Sequence, residues 1–453
     1  MYMSRLFQRT LLAMMIAGTV SSASAFSMLG TFDTWQIVRL GYNPLNTDIG
    51  GPMNVGEEYR WNIRTITYGF DESFLNYFGQ RGVDEINKAI AILNNLPKFS
   101  KMSTNLTEFS TDTKRVNYRA SAVNLQDLKS TALSFLLEEM GLASPERYTW
   151  TLRDRLEFSG PIIRYLVIKR NFDPVTLAPS RYVNGTLYTY FIGEFVTSSG
   201  TEFADAVEVQ VDPLAFGFRA VVSDADGFWG GFLLGGEFFT GLTRDDVGGL
   251  RYLYGLYNYN IENLIPGTFG GGGSPYDPAG VTNSAVDLAL RPGVDKILFK
   301  QAKYDSVFGN FITNTVQYKD TFITNSHRIK QSTARVLTQP DILFSAEDLG
   351  QNAGGFPVGV RRTTAAPSAW INNDAINGQA TIAGPGQIQS QIVITFNKVG
   401  PHILNQNPFF LDEADPLFVG FVWGSFDGTT NAPVVYPIGS SIEDLEQEVL
   451  GGN

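Results

Sequence analysis

The chain has 453 residues, with 34 Lys and Arg against 45 Asp and Glu, two His, no Cys and a formal net charge of −11. That acidic balance excludes a protein that works by neutralising nucleic-acid phosphates or by docking on anionic lipid, since both need an excess of Lys and Arg. Two His cannot build a three-His zinc site, thiolate sites are excluded, and stability must come from core burial, because there are no disulfides.

The elements predicted along the chain begin with a secretory signal at 1–25. Arg5 and Arg9 precede an apolar run from Leu11 to Val20, and Ala23, Ser24 and Ala25 form a small-residue cleavage site before Phe26. The run falls short of the ~20 residues that cross a bilayer, and no later segment is apolar for that long. The expectation is an exported protein in the periplasm, on the cell surface or outside the cell, with no membrane span in the mature chain.

Thr65 to Phe70 alternates and is rich in β formers, which predicts a strand. Val83, Ile86, Ala89, Ile90 and Leu93 share one face of a helix predicted over 82–96, after a break at Gly79 and before Pro97. Residues 128–142, LKSTALSFLLEEMGL, form a second helix whose buried side is predicted to carry Ala132, Phe135, Leu136 and Met140. Glu138 and Glu139 are adjacent in it. Adjacent helical residues point about 100° apart, which does not give the facing geometry of a catalytic pair, so one or both are expected on a solvated face.

A β-rich block follows over 148–222, with strands at 162–169 and 206–211 and an Asn184-Gly185 hairpin signal. Asp224 and Asp226 precede Gly227 with calcium-loop spacing, but Gly235 stands where the closing bidentate Glu would be needed; Ca2+ is a weak candidate there and a tight turn the stronger reading. Residues 242–255, LTRDDVGGLRYLYG, predict a helix with a Thr243/Asp246 cap, an apolar face of Val247, Leu250 and Tyr254, and Gly255 at its end.

Four consecutive Gly flanked by Pro266, Pro275 and Pro278 mark 265–280 as a linker. Beyond it, short β-type runs at 296–304, 311–325, 335–344, 392–396 and 417–422 predict a β-sandwich-like module, and 441–450 a short terminal helix.

Other candidate sites have bland readings. His327 and His402 lie in different β-type segments, and a lone His is more often packed or at the surface than a ligand. Ser134 and Ser144 lack a nameable base. Asp427 and the group Asp412, Glu413 and Asp415 are ordinary turn formers that could also offer oxygen ligands to Ca2+. The rings of Trp229, Phe418, Phe421 and Trp423 could form a glycan platform, but in a Cys-free β-rich chain they are expected to make the core.

The strand at 65–70, the helix at 82–96, the 128–142 helix and the 242–255 helix occur in an order that resembles matrixin-type metzincins. The metzincin zinc helix reads H-E-x-x-H-x-x-G-x-x-H. Anchored on Gly141, the resemblance puts the first His on Ser134, the catalytic Glu on Phe135, the second His on Glu138 and the third His on Ser144. Every ligand is replaced. All eight Met lie at or before Met140, so the Met-turn is missing too, and about 30 residues between Pro97 and the helix leave little room for the strands a metzincin carries there.

The resulting expectation has an α+β metzincin-like domain with a β-rich insertion at 26–264, a linker at 265–280, and an all-β sandwich-like domain at 281–453. The resemblance implies a catalytically inactive exported protein that binds an extracellular protein or glycan or assembles with itself, with no resident cofactor predicted. A hydrolase rebuilt around carboxylates and a carbohydrate-binding surface protein are the alternatives.

Overall fold

The computed structural model describes residues 25–42, 51–158, 162–196, 200, 202–215, 220–224, 233–270, 285–305, 309–350, 358–364, 370–372, 385–398, 403–404, 417–418 and 422–450. Of the expected signal segment only Ala25 is among them. No helix of the described residues is long and apolar enough to cross a membrane.

Strand β1 (Phe26–Gly30) is buried along its whole length and pairs with Leu142–Ala143, Asn171–Phe172 and Gly51–Pro52. The Ala25 amide donates to Oδ2 of buried Asp245 at 2.9 Å, tying the start of β1 to a helix far along the chain. Strand β2 (Thr65–Phe70) leads into helix α1 (Glu72–Asn94) through Asp71, whose carboxylate accepts from the Phe74 amide. Because of this cap the helix begins at Glu72 rather than 82, and the break expected at Gly79 is a kink inside it, at φ 59° and ψ −163°. The predicted apolar face, Val83 to Leu93, is buried.

Helix α2 (Leu128–Glu139) is followed by two antiparallel hairpins, β3 (Thr151–Glu157) with β4 (Ile163–Ile168), and β5 (Thr186–Val196) with β6 (Glu202–Gln210). Asn184 and Gly185, at φ 46° and 85°, make the two-residue turn that brings Val183 opposite Thr186; both residues tolerate the left-handed region that such a turn requires. Helix α3 (Arg244–Tyr254) starts with a full capping box between Thr243 and Asp246.

The strands of the two largest sheets beyond β2 are β7 (Tyr259–Glu262), β8 (Thr268–Gly270), β9 (Ala289–Pro292), β10 (Leu298–Gln301), β11 (Asn314–Thr324), β12 (His327–Leu337), β13 (Ile342–Glu347), β14 (Val360–Thr364) and β15 (Ile392–Asn397). They form an antiparallel sheet in the order β7-β9-β11-β12-β8 and take part in a mixed sheet in the order β10-β2-β13-β15-β14. In the mixed sheet β10, β2, β13 and β15 run parallel and the edge strand β14 is antiparallel to β15.

The chain is β-rich with fewer helices, but its hydrogen bonding does not stop at 265–280. Strand β8 lies inside that segment, and β2 sits between strands contributed by residues after it. Of the runs expected to close on themselves as a separate sandwich, those at 296–304, 335–344 and 392–396 supply strands to a sheet begun by β2, whereas 311–325 lies in the antiparallel sheet. Likewise, the strands that flank β2 are supplied after α3, not between α1 and α2. Parallel neighbours require long crossovers, and here the crossover contains most of the N-terminal half.

Helix α1 covers the mixed sheet through an aromatic cluster. Phe74 lies 5.0 Å from Phe70 and 4.7 Å from Phe78, and the rings of Phe344 and Phe396 stack on the sheet beneath. Trp423 joins Phe396 at 5.4 Å and donates its Nε1 to the Asn397 carbonyl at 2.8 Å, a core role in line with the abundance of rings. Trp229 and Phe421 lie outside the described residues. A buried polar ladder crosses the same boundary: Arg60 pairs with Glu262 at 2.8 Å and donates to the Arg291 carbonyl at 3.1 Å, and Arg291 in turn pairs with Asp320 at 3.1 Å.

Candidate functional site

Helix α2 is buried on all sides, with Lys129 the sole residue of the helix that is not. The polar side chains of Ser130, Thr131, Ser134, Glu138 and Glu139 are buried along with the apolar ones. Asp127 caps it by accepting from the Ser130 amide at 2.9 Å, and burial pushes the Asp127 carboxyl up to about 6. At the other end, Trp61 Nε1 donates to the Glu139 carbonyl and the Tyr254 hydroxyl to the Met140 carbonyl, each at 2.7 Å. These bonds satisfy carbonyls that a helix terminus leaves open. Gly141 then turns the chain at φ 98°, where an added Cβ would stand 2.4 Å from the Tyr59 carbonyl oxygen, so that Leu142–Ala143 can pair with β1.

The metzincin-aligned residues fall at one end of this helix. Ser134 and Glu138 are one turn apart and both buried, as are Phe135 and Glu139 on the neighbouring face. The solvated face expected for the two Glu does not exist among the described residues, because α1, the 3-10 turn at 222–224 and Arg362 of the mixed-sheet edge pack around the helix. Glu138 makes an ion pair with Arg362 of β14, and the Arg362 guanidinium lies 5.6 Å from the Phe135 ring centroid. A cation supplied by the chain itself therefore faces the carboxylate at the second ligand position. The Ser134 hydroxyl is buried without a hydrogen-bond partner among the described residues. Ser144, past the Gly141 turn, accepts weakly from the Arg147 amide at 3.4 Å.

Glu139 differs from its neighbour. It is 1% exposed, both carboxyl oxygens lack a hydrogen-bond partner among the described residues, and desolvation raises its pKa to about 8. At neutral pH it keeps its proton.

Behind α2, Asp246 of α3 does more than cap its own helix. It accepts from the Val222 amide at 3.2 Å, the Ser223 amide at 3.0 Å and the Ser223 hydroxyl at 2.8 Å, as well as from Thr243. This pins the single-turn 3-10 helix Val222–Asp224 against α2. Asp224 thus ends a short helix, and Asp226, its partner in the calcium reading, lies outside the described residues. Among the described residues, no three His, Cys, Asp or Glu converge as a metal-binding group.

His327 is exposed at the start of β12, and His402, Asp412, Glu413 and Asp415 lie outside the described residues. Asp427 accepts from the Thr429 amide at 2.8 Å, a local turn bond.

A second buried polar group has no signal in the sequence. Arg147 reaches Asp205 at 2.8 Å and Glu208 at 3.4 Å, next to the buried Tyr42. Burial raises Glu208 well above the usual carboxylate range and raises Asp205 as well, while the Arg147 charge opposes both shifts. The residues are brought together only when β6 folds over the chain that follows α2, and they fasten that hairpin to the body of the protein.

No protein-family model, no curated protein and no solved structure matches this chain.

Proposed function

We propose that this chain is an exported, non-catalytic binding or structural protein, built on a metalloprotease-like scaffold whose zinc helix has become a core element. The observation that carries the reading is the Glu138–Arg362 pair against Phe135. A guanidinium occupies the carboxylate that a metal would need, and a hydrocarbon ring stands where the resemblance requires a general base. Further support comes from the Gly141 turn, the α3 capping box and the burial of Ser134, each at the position the resemblance assigns. The partner class is an extracellular protein or glycan.

The alternative is a hydrolase rebuilt on carboxylates, and Glu139, protonated near neutral pH, is the observation in its favour. One experiment separates the two. The purified mature chain is measured for bound metal by elemental analysis and for cleavage of casein and polysaccharide substrates, with and without chelator. The binding-protein reading expects substoichiometric metal and no chelator-sensitive cleavage. Turnover that is lost on chelation and in Glu138→Ala would overturn it.

A further inference from the structure

A small cavity of about 40 Å³ lies where the antiparallel sheet meets the segment entering β2, lined by Asn62, Arg64, Lys319, Asp320 and Arg328 above the buried Arg291. Its charges do not cancel. Among the described residues Asp320 is the one acidic residue of the lining, and it is already engaged: Oδ1 accepts from Arg291 Nε at 3.1 Å, and Oδ2 accepts from Arg291 Nη2 at 3.1 Å and Gln331 Nε2 at 2.7 Å. Glu262, behind Arg291, is paired with Arg60.

Three cations are left. Arg64 is exposed, and its side chain makes no hydrogen bond or ion pair among the described residues. Lys319 donates to the Ser332 hydroxyl, which is neutral. Arg328 donates to the Leu256 carbonyl at 3.2 Å and the Tyr259 hydroxyl at 3.0 Å, which hold its head in place without neutralising it. Uncompensated positive charge around one concavity runs against the acidic balance of the whole chain, and such a site attracts an oxyanion.

The surface beside the cavity adds a second element. The ring of Tyr257 is 84% exposed, with the Arg328 guanidinium 6.0 Å from its centroid, and Tyr259 next to it is 39% exposed. These rings are not used by the core. An exposed phenol offers a flat apolar face with a hydrogen-bonding tip, suited to a ring that is apolar on one side and hydroxylated at its edge.

We infer that the cavity binds the anionic group of an acidic saccharide, a phosphate, sulfate or carboxylate, with the sugar ring lying on Tyr257. The cavity has room for a single such group, so the remainder of the ligand must lie on the surface outside, where Tyr257 is. This site is separate from α2 and does not depend on whether that helix ever held a metal.

Equilibrium dialysis of the full mature chain against glucose 6-phosphate, with inorganic phosphate and glucose as controls, tests the inference. Glucose 6-phosphate should bind more tightly than phosphate, and glucose should not compete. Arg64→Glu and Lys319→Glu change exposed residues and should leave the circular-dichroism spectrum unchanged, and each should weaken binding about tenfold or more. Tyr257→Ala should reduce glucose 6-phosphate to the level of phosphate, and competition by glucuronate or glucose 6-sulfate would support the same site. The inference is overturned by equal affinity for phosphate and glucose 6-phosphate, by affinities that the charge reversals leave unchanged, or by no binding up to about 10 mM.

Discussion

Replacing Glu139 by Gln should remove that residue's own share of the pH dependence of stability above pH 5, alongside the shares of Asp127, Asp205, Glu208 and Glu262, whose pKa values burial also raises. The carboxyl is 1% exposed and without a hydrogen-bond partner among the described residues, and desolvation lifts its pKa from 4.5 to about 8 in the folded chain. A raised folded-state pKa means that the folded protein holds a proton the unfolded chain releases. Stability is therefore greatest below about pH 4.5, where both states are protonated, and falls as pH rises toward 8, by about 1.4 kcal/mol for each unit. Over the whole window the loss reaches roughly 5 kcal/mol at most, and relaxation around the buried site will reduce it.

Gln has nearly the same shape and no charge at any pH. Glu139→Gln should match the parent protein at pH 5 and exceed it at pH 8 by roughly 2–4 kcal/mol. Asp127, raised from 3.8 to about 6 by burial, acts with the same sign between those values, and the variant retains that part. Urea unfolding at pH 5, 6, 7 and 8 measures the difference. Parallel pH profiles for the two proteins would refute the reasoning, because they would mean that Glu139 has the same pKa folded and unfolded. A Gln variant weaker by an equal amount at every pH would refute it too, pointing to a packing or hydrogen-bonding role.

Three other substitutions examine the frame around α2. Asp246→Ala removes the acceptor for donors from Thr243, Val222 and Ser223, and should cost roughly 3–5 kcal/mol in chemical denaturation. Gly141→Ala meets both a positive φ and the Tyr59 carbonyl; a loss of roughly 2–4 kcal/mol is expected, whereas Gly56→Ala, with open space around it, should cost less. Arg362→Met alone should destabilise by roughly 3–5 kcal/mol, because Glu138 is left buried and unpaired, while Arg362→Met combined with Glu138→Leu should recover most of that loss in thermal unfolding. If the double variant is as weak as the single one, the ion pair is not what holds the two elements together.

Local features of the fold were legible in the sequence because their causes are local. The Thr243/Asp246 cap, the Asn184-Gly185 turn and the apolar face of α1 each depend on residues a few positions apart, and each forms as its spacing predicts. The start of α1 differs from the expectation for the same kind of reason: Asp71 caps it eight residues before an apparent break that the helix absorbs as a kink. At the α2 site, the positions of Ser134, Phe135, Glu138, Gly141 and Ser144 could be read off the motif spacing. Their environments could not.

What the sequence by itself determined is the existence of α1, α2 and α3, the Asn184-Gly185 turn and several β-type runs, the acidic charge, and the absence of the side chains a zinc site needs. The tertiary structure decided which strands are neighbours and which carboxylates are buried. Strand β2 finds its partners in β10 and β13, more than two hundred residues away, and no local rule selects among strands of similar composition. Glu138 and Glu139 have the pattern of a solvated helix face, yet both are enclosed, because burial is a property of everything that packs on a helix and not of its own periodicity. Arg362 illustrates the same point: in the sequence it is one Arg in a β-type run, and only the antiparallel edge strand carries its guanidinium to Glu138.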